Sequence, residues 1–189
     1  VIGHAVDLVN FSNKKEEYKL QNFLILSRIS PSKNIEIAID GFLNSKFKDC
    51  NLDIIGGPLN KNDEVYFAKL KEKYSINNVN FLGKINHTNL PEVLKNYDVH
   101  FNCSKNGFFD KSVLETLSCE IINFYVNKDF NILFENNLYQ FDDSSELSRK
   151  LDNLTKLSSE EIKDTLHKSK KELQNNSLNS LNSRLEPYL

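Results

Sequence analysis

Two kinds of apolar run alternate along most of this chain. Asn22–Ser27, Asn51–Ile55, Val79–Leu82, Asp98–Asn102 and Ile121–Val126 are short and nearly continuous, with polar residues at both ends. Strands buried on both faces read this way. Between them, Ile35–Leu43, Asp63–Tyr74, Asn89–Asn96 and Ser112–Cys119 repeat apolar residues at helical intervals. Ile35–Leu43 is rich in β-branched residues, so packing has to hold it as a helix. In Asp63–Tyr74 the inner side falls to Val65, Phe67 or Ala68, and Leu70, while Asp63 and Glu64 suit the first turn. Pro91 suits the first turn of its helix.

Further on, Asn131–Glu135 and Leu138–Phe141 read as two more short strands around an Asn136–Asn137 turn. Glu146–Leu157 reads as a helix capped within Asp142–Ser145. Ser159–Leu173 follows as another, with Ser159 as its cap. Leu178, Leu181 and Leu185 have the spacing of a last short helix. Val1–Phe11 reads as an edge strand or a linker, and Asn10–Lys19 as surface loop or a weak helical turn. The strand–helix alternation over about 120 residues predicts an α/β fold, a parallel sheet flanked by helices on both faces. Right-handed crossovers then bring the loops after Ser27, Ile55, Leu82 and Asn102 to one edge of the sheet. Residues 1–21 form a leading linker segment on this reading, 22–175 the α/β domain, and 176–189 a helical tail.

Composition narrows the functions. The 189 residues hold 24 basic and 26 acidic side chains, well mixed, for a net charge of −2. That balance argues against nucleic acid as the main partner. Cys50, Cys103 and Cys119 have neither metal-ligand spacing nor a secreted disulfide pattern, which points to a reducing compartment. No apolar run nears the roughly 18 to 20 residues of a membrane-spanning helix. The chain opens at Val1 and contains no methionine, so it reads as a piece of a longer protein.

Candidate chemistry gathers in the converging loops. Arg28 and Lys33 lie five positions apart in the first loop, just before a helix, and two cations there can receive phosphate oxygens or stay solvated. Gly56, Gly57 and Pro58 close the second strand as a tight turn, with or without a backbone approach to a ligand. The pair is far from a dinucleotide-binding glycine signature. Asp98 suits a turn or cap better than a catalytic role. Asp110, Lys111 and Ser112 stand where the fourth helix should start. Glu115 lies toward that helix's buried side, where a carboxylate needs a partner. A ribose diol or the Lys111 ammonium one turn away would satisfy it. His4, His87, His100 and His167 are scattered, with His100 packed on a strand, and no serine or cysteine has a nucleophile's setting.

Taken in order, SRISPSKN (27–34), LDIIGG (52–57), VNFLGKI (79–85) and YDVHFNCSKNGFFDKSVLETLSC (97–119) resemble the C-terminal half of family 4 retaining glycosyltransferases. The resemblance covers about residues 1–175. It implies the GT-B fold, two Rossmann-like domains with the active site between them, of which this chain is one. It implies that Arg28 and Lys33 bind the diphosphate of a nucleoside diphosphate sugar, the glycine-rich turn being Gly56 and Gly57. Backbone from Leu82 through Gly83 and Lys84 to Ile85 would receive the base. Of the family's two glutamates, separated by seven residues, the second corresponds to Glu115 and holds the ribose. The first, which contacts the transferred sugar, falls at Gly107. Asp110 and Lys111 would shape the pyrophosphate and sugar region, with the amides of Ser112 and Val113 at the helix start. Glu120 stands where the family commonly has glycine.

The implied reaction is transfer from a uridine or guanosine diphosphate sugar to an acceptor hydroxyl, with retained configuration and no cofactor or metal. The acceptor, a saccharide or lipid-linked saccharide, would bind through an N-terminal domain outside this chain, so the fragment alone is expected to be inactive. The resemblance places such an enzyme in the bacterial cytoplasm, in polysaccharide biosynthesis, with peripheral contact at the inner face of the membrane. Two other readings stand beside it. Gly107 suits a degenerate half-enzyme serving as a protein-interaction module, and a sugar phosphorylase or epimerase would share the architecture.

Overall fold

Each of the five apolar runs forms a strand: β1 (Asn22–Leu26), β2 (Asn51–Ile55), β3 (Val79–Gly83), β4 (Val99–Asn102) and β5 (Ile122–Tyr125). They pair in parallel, in the order β3-β2-β1-β4-β5. The structure is a computed structural model that describes residues 6–75, 78–134, 139–174 and 180. The chain moves outward from β1 through β2 and β3, then crosses back to lay β4 and β5 on the other side. That reversal splays the loops at the carboxyl ends of β1 and β4, where open α/β sheets bind ligands.

Among the described residues six α-helices cover the sheet: α1 (Ile35–Leu43), α2 (Lys61–Tyr74), α3 (Leu90–Leu94), α4 (Lys111–Ser118), α5 (Ser144–Leu154) and α6 (Ser159–Leu173). α1 packs against α5, and α4 against α6. Because crossovers are right-handed, reversing direction at β1 puts α1 and α4 on opposite faces. One face carries a run of rings: Phe23 meets Phe42 of α1 and Phe101, Phe101 meets Phe124, and Phe124 meets Tyr139, with centroids 5.0–6.2 Å apart. All five rings are at most 2 % exposed. Aromatic burial of this kind is a large share of a core's energy. It supplies the packing that the weak intrinsic propensity of α1 needs.

At its C-terminus α4 ends in a left-handed turn. Ile121 N donates to Thr116 O and Glu120 N to Leu117 O, both at 3.0 Å, the pair of bonds that usually calls for glycine. Glu120 occupies that position with φ 57°. Its carboxylate accepts from Lys15 N and from Lys170 Nζ, each at 2.9 Å. The glycine that the family resemblance leads one to expect is thus replaced by a residue that ties α4 to α6 and to the leading segment. Nearby, Asp98 pairs with Lys15 at 2.8 Å, both side chains 9 % exposed. Asp98 is therefore a structural anchor at the amino edge.

Several boundaries differ from the sequence reading. Asn131–Glu135 is no strand as far as it is described: Lys128–Ile132 is a 3-10 turn started by Asn127, whose side chain accepts from Asp129 N. Within the expected Leu138–Phe141 strand only Gln140 makes a bridge, parallel to Tyr125. Leu138 and the Asn136–Asn137 turn lie outside the described residues. Val65 is 58 % exposed, because the buried stripe of α2 runs through Asp63, Leu70 and Tyr74. Asp143 caps α5, and Ser158, not Ser159, caps α6 in a reciprocal box with Glu161. Residues 10–19 are irregular, yet Phe11 and Tyr18 are buried. Val1–Phe11, read as an edge strand or a linker, shows over residues 6–11 a single bridge residue, Val6, and no strand, and 1–5 lie outside the description. So does the tail, apart from Ser180.

Candidate functional site

Backbone bonds lace three of the converging loops together. Ser27 N donates to Ile55 O (3.1 Å), Ile29 N to Gly57 O (3.2 Å) and Gly56 N to Gly83 O (2.8 Å). Gly56 has φ 145°, and a Cβ there would stand 1.8 Å from the Ser27 carbonyl oxygen. Only glycine lets the first two loops come this close. The glycine turn is thus required by the loops themselves, whatever ligand it also meets.

Over this lacing lies an open cleft of about 350 Å³. Of the residues singled out in the sequence, Arg28, Gly56, Gly57, Lys84, Ile85, Asp110, Ser112 and Glu115 line it. Arg28 and Lys84 are exposed, and neither has a hydrogen bond or ion pair among the described residues. Leu82, half exposed, and Gly83 stand outside the lining. Val113 is fully buried, and its amide already donates to Asp110 O at 3.2 Å. It therefore cannot offer the helix-start N–H that the resemblance implied. The amides of Lys111 and Ser112 precede it at the start of α4, whose N-cap Asp110 makes no side-chain cap bond. That end of the helix therefore carries its partial positive charge uncapped.

Lys33 sits behind the cleft wall rather than in it. Its ammonium pairs with Asp110 Oδ2 at 2.5 Å and donates to Ser104 Oγ at 3.0 Å. Ser104 Oγ and Asn102 Nδ2 also donate to the same Asp110 oxygen, at 2.7 and 3.1 Å. Burial works to raise the Asp110 pKa, but the bonds from Lys33 and Ser104 outweigh it and hold the carboxyl below its usual range. This cluster bridges the β1 and β4 loops across the point where strand order reverses.

Glu115 is almost wholly buried, its side chain 6 % exposed. Its Oε1 lies 2.8 Å from His87 Nε2 and 3.7 Å from Lys111 Nζ. His87 is thus the nearer partner, and sequence reasoning passed it over as one of four scattered histidines. The available signal was its place just after the third strand, on a loop expected to converge with the helix start. The His87 ring rests on buried Phe11 of the leading segment, centroids 5.4 Å apart. Gly107 lies in the exposed loop before α4 with φ 84°, its N–H held by Asp129 at 2.7 Å.

His100 proves to be a packed residue. It is fully buried beneath α4 with Asn123 and Thr116. Burial, partly offset by the Asn123 bond, pushes its pKa down to about 4, so it is neutral near pH 7. Among the described residues no three His, Cys, Asp or Glu side chains cluster as metal ligands. No described helix is long and apolar enough to cross a membrane.

Solved structures share this architecture. Anabaena Alr3699/HepE, crystallised with UDP and glucose, aligns over 97 % of this chain and 55 % of its own, with TM-score 0.82 and 17 % identity. A Rickettsia africae glycosyltransferase aligns over 100 % and 56 %, with TM-score 0.80 and 18 % identity. The C-terminal domain of a Francisella tularensis group 1 glycosyl transferase, LpcC, aligns over 92 % of this chain and all of its own, with TM-score 0.72 and 15 % identity. The chain therefore spans about half the length of the first two. No curated protein matches it. The fold is that of one Rossmann-like half of a GT-B glycosyltransferase. The family model "Glycosyl transferases group 1" matches residues 9–173, and the chain belongs to that family.

Proposed function

We propose that this domain binds the nucleoside diphosphate sugar donor of a retaining glycosyltransferase of family 4, with the acceptor held by a domain outside this chain. The observation that carries the reading is Glu115. A buried carboxylate borders the cleft, and only its Oε1 is matched by a described partner. Oε2 is not among the buried side-chain atoms left without a partner, so solvent reaches it. A ribose hydroxyl suits that oxygen, and a hydrogen bond to a charged acceptor contributes about 1.5–3 kcal/mol.

The diphosphate would lie against Arg28 and Lys84, which are uncommitted, and the open amides at the start of α4. Lys33 would act from behind, held by Asp110 and Ser104. Fixed cations and a helix N-terminus favour the charge that grows on the leaving diphosphate as the sugar bond breaks, and they need no rearrangement at that moment. The bound UDP of the Anabaena structure makes uridine diphosphate the first nucleotide to try.

The test is a melting series of this chain with UDP, GDP and uridine. A ligand that binds only the folded state adds about 2.7 kcal/mol at a hundredfold excess over Kd, roughly 5 °C or more for a domain of this size. One diphosphate should raise Tm and uridine should do so much less. A protein-interaction module would show no shift with any of them at millimolar concentration.

A further inference from the structure

His87 borders the cleft and is held on two sides. Its Nε2 lies 2.8 Å from Glu115 Oε1. A carboxylate only accepts, so Nε2 carries the hydrogen and donates it. The ring also rests against buried Phe11 of the leading segment. That segment is fastened to the far end of α4, where Lys15 N donates to Glu120 Oε2 at 2.9 Å and the Tyr18 hydroxyl to Glu120 O at 3.1 Å. On the other side, Asn86 accepts from Thr88 N at 3.1 Å and starts the short 3-10 turn His87–Asn89 that carries the ring. The His87 side chain is nevertheless 60 % exposed, so holding it adds little to the core.

Lys111 competes for the same carboxylate. Its ammonium stands 3.7 Å from Oε1, on a half-exposed side chain. A lysine on its flexible stem can swing to either oxygen of Glu115. A rigid imidazole braced by Phe11 donates in one direction only. We infer that His87 is a positioning residue for the nucleotide: by fixing Oε1 it keeps Oε2 turned to the cleft and open to a ribose hydroxyl. This rests on the donor-site reading above. An acceptor oriented before the ligand arrives lowers the ordering cost of binding. Through Phe11 and His87, the leading segment thus supports the ribose site from behind.

The experiment titrates UDP, 2′-deoxy-UDP, 3′-deoxy-UDP and inorganic pyrophosphate into wild type, His87→Ala, His87→Gln, Glu115→Ala and the double alanine variant, with a melting curve for each protein. His87→Ala should weaken UDP by roughly threefold to tenfold, the worth of one hydrogen bond, and leave pyrophosphate unchanged. The wild-type preference for the contacted hydroxyl should shrink with it. A glutamine amide can stand near the place of Nε2, so His87→Gln should recover most of the loss. In Glu115→Ala, adding His87→Ala should cost almost nothing more, because both act through one carboxylate. A histidine that only supports the fold would lower Tm and weaken UDP and pyrophosphate alike. That result, an undiminished loss in the Glu115→Ala background, or no loss at all overturns the assignment. If wild type binds neither UDP nor pyrophosphate, or ignores both hydroxyls, the donor-site reading itself fails. Should His87→Ala not fold, His87→Gln is compared with His87→Asn, whose shorter amide falls short of Glu115. The asparagine variant should bind UDP more weakly by roughly threefold or more, and equal affinities overturn the assignment.

Discussion

Acidic residues at the two edges of the sheet are matched differently. At the amino edge, Asp98 Oδ1 pairs with Lys15 and Oδ2 accepts from the amides of Gln21 and Asn22. Glu120 likewise has both oxygens taken, by Lys15 N and Lys170. At the carboxyl edge, Asp110 and Glu115 each have one oxygen matched and one open. A carboxylate that only stabilises the fold gains by filling both oxygens with protein donors, whereas here the second oxygen is left to solvent. One left half-matched at the mouth of a cleft keeps an acceptor in place for something that arrives later. The amino edge reads as structure, and the carboxyl edge is where the donor site is proposed.

The largest expected effect breaks the structural half of that contrast. Asp98→Ala leaves the Lys15 ammonium buried without its partner, and losing one member of a buried pair costs about 3–5 kcal/mol. Urea unfolding should show that loss, while UDP affinity of the protein that remains folded stays as in the wild type. A weaker nucleotide affinity would mean that the two edges are not independent.

Next in size is Arg28→Ala. With no described partner, Arg28 should contribute within about 0.5 kcal/mol to stability. UDP affinity should drop by roughly tenfold or more and uridine affinity hardly at all. Lys33→Ala should differ from it by costing stability as well, because Asp110 and Ser104 lose the ammonium that bonds them both. Equal losses for UDP and uridine in Arg28→Ala would remove Arg28 from the phosphate site.

Smallest should be Glu120→Gly. Relief of a left-handed backbone, about 1–2 kcal/mol, opposes loss of the Lys15 and Lys170 bonds, so denaturant unfolding should shift by no more than about 1 kcal/mol. A loss above about 3 kcal/mol would show that the carboxylate, rather than the turn, holds this corner.

The strands were legible because a parallel sheet buried on both faces needs unbroken apolar runs. The converging loops followed from crossover handedness alone. Asn131–Glu135 misled because its apolar residues mimic a strand, while the cap at Asn127 that sets the 3-10 turn lies four positions upstream. The exposure of Val65 shows the limit of helical spacing, which gives a stripe but not which of two adjacent stripes faces the sheet. Within the site, Arg28, Gly56, Lys84, Asp110 and Glu115 could be placed from their loops. The pairing of Lys33 with Asp110, and of His87 with Glu115, joins residues far apart in the chain, and no local pattern encodes either. Glu115 was expected to face Lys111 or a ribose diol, and His87 already holds one of its oxygens.

Coupling between Glu115 and the ribose tests the central claim most directly. UDP, 2′-deoxy-UDP and 3′-deoxy-UDP are titrated into wild-type protein and Glu115→Gln. In the wild type, removing the contacted hydroxyl should cost about 1–3 kcal/mol. In Glu115→Gln that cost should shrink, leaving a coupling of about 1 kcal/mol or more with at least one of the two hydroxyls. Additive losses for both deoxy ligands, together with a lowered Tm, would instead make Glu115 a structural partner of His87 and Lys111 and contradict the donor site.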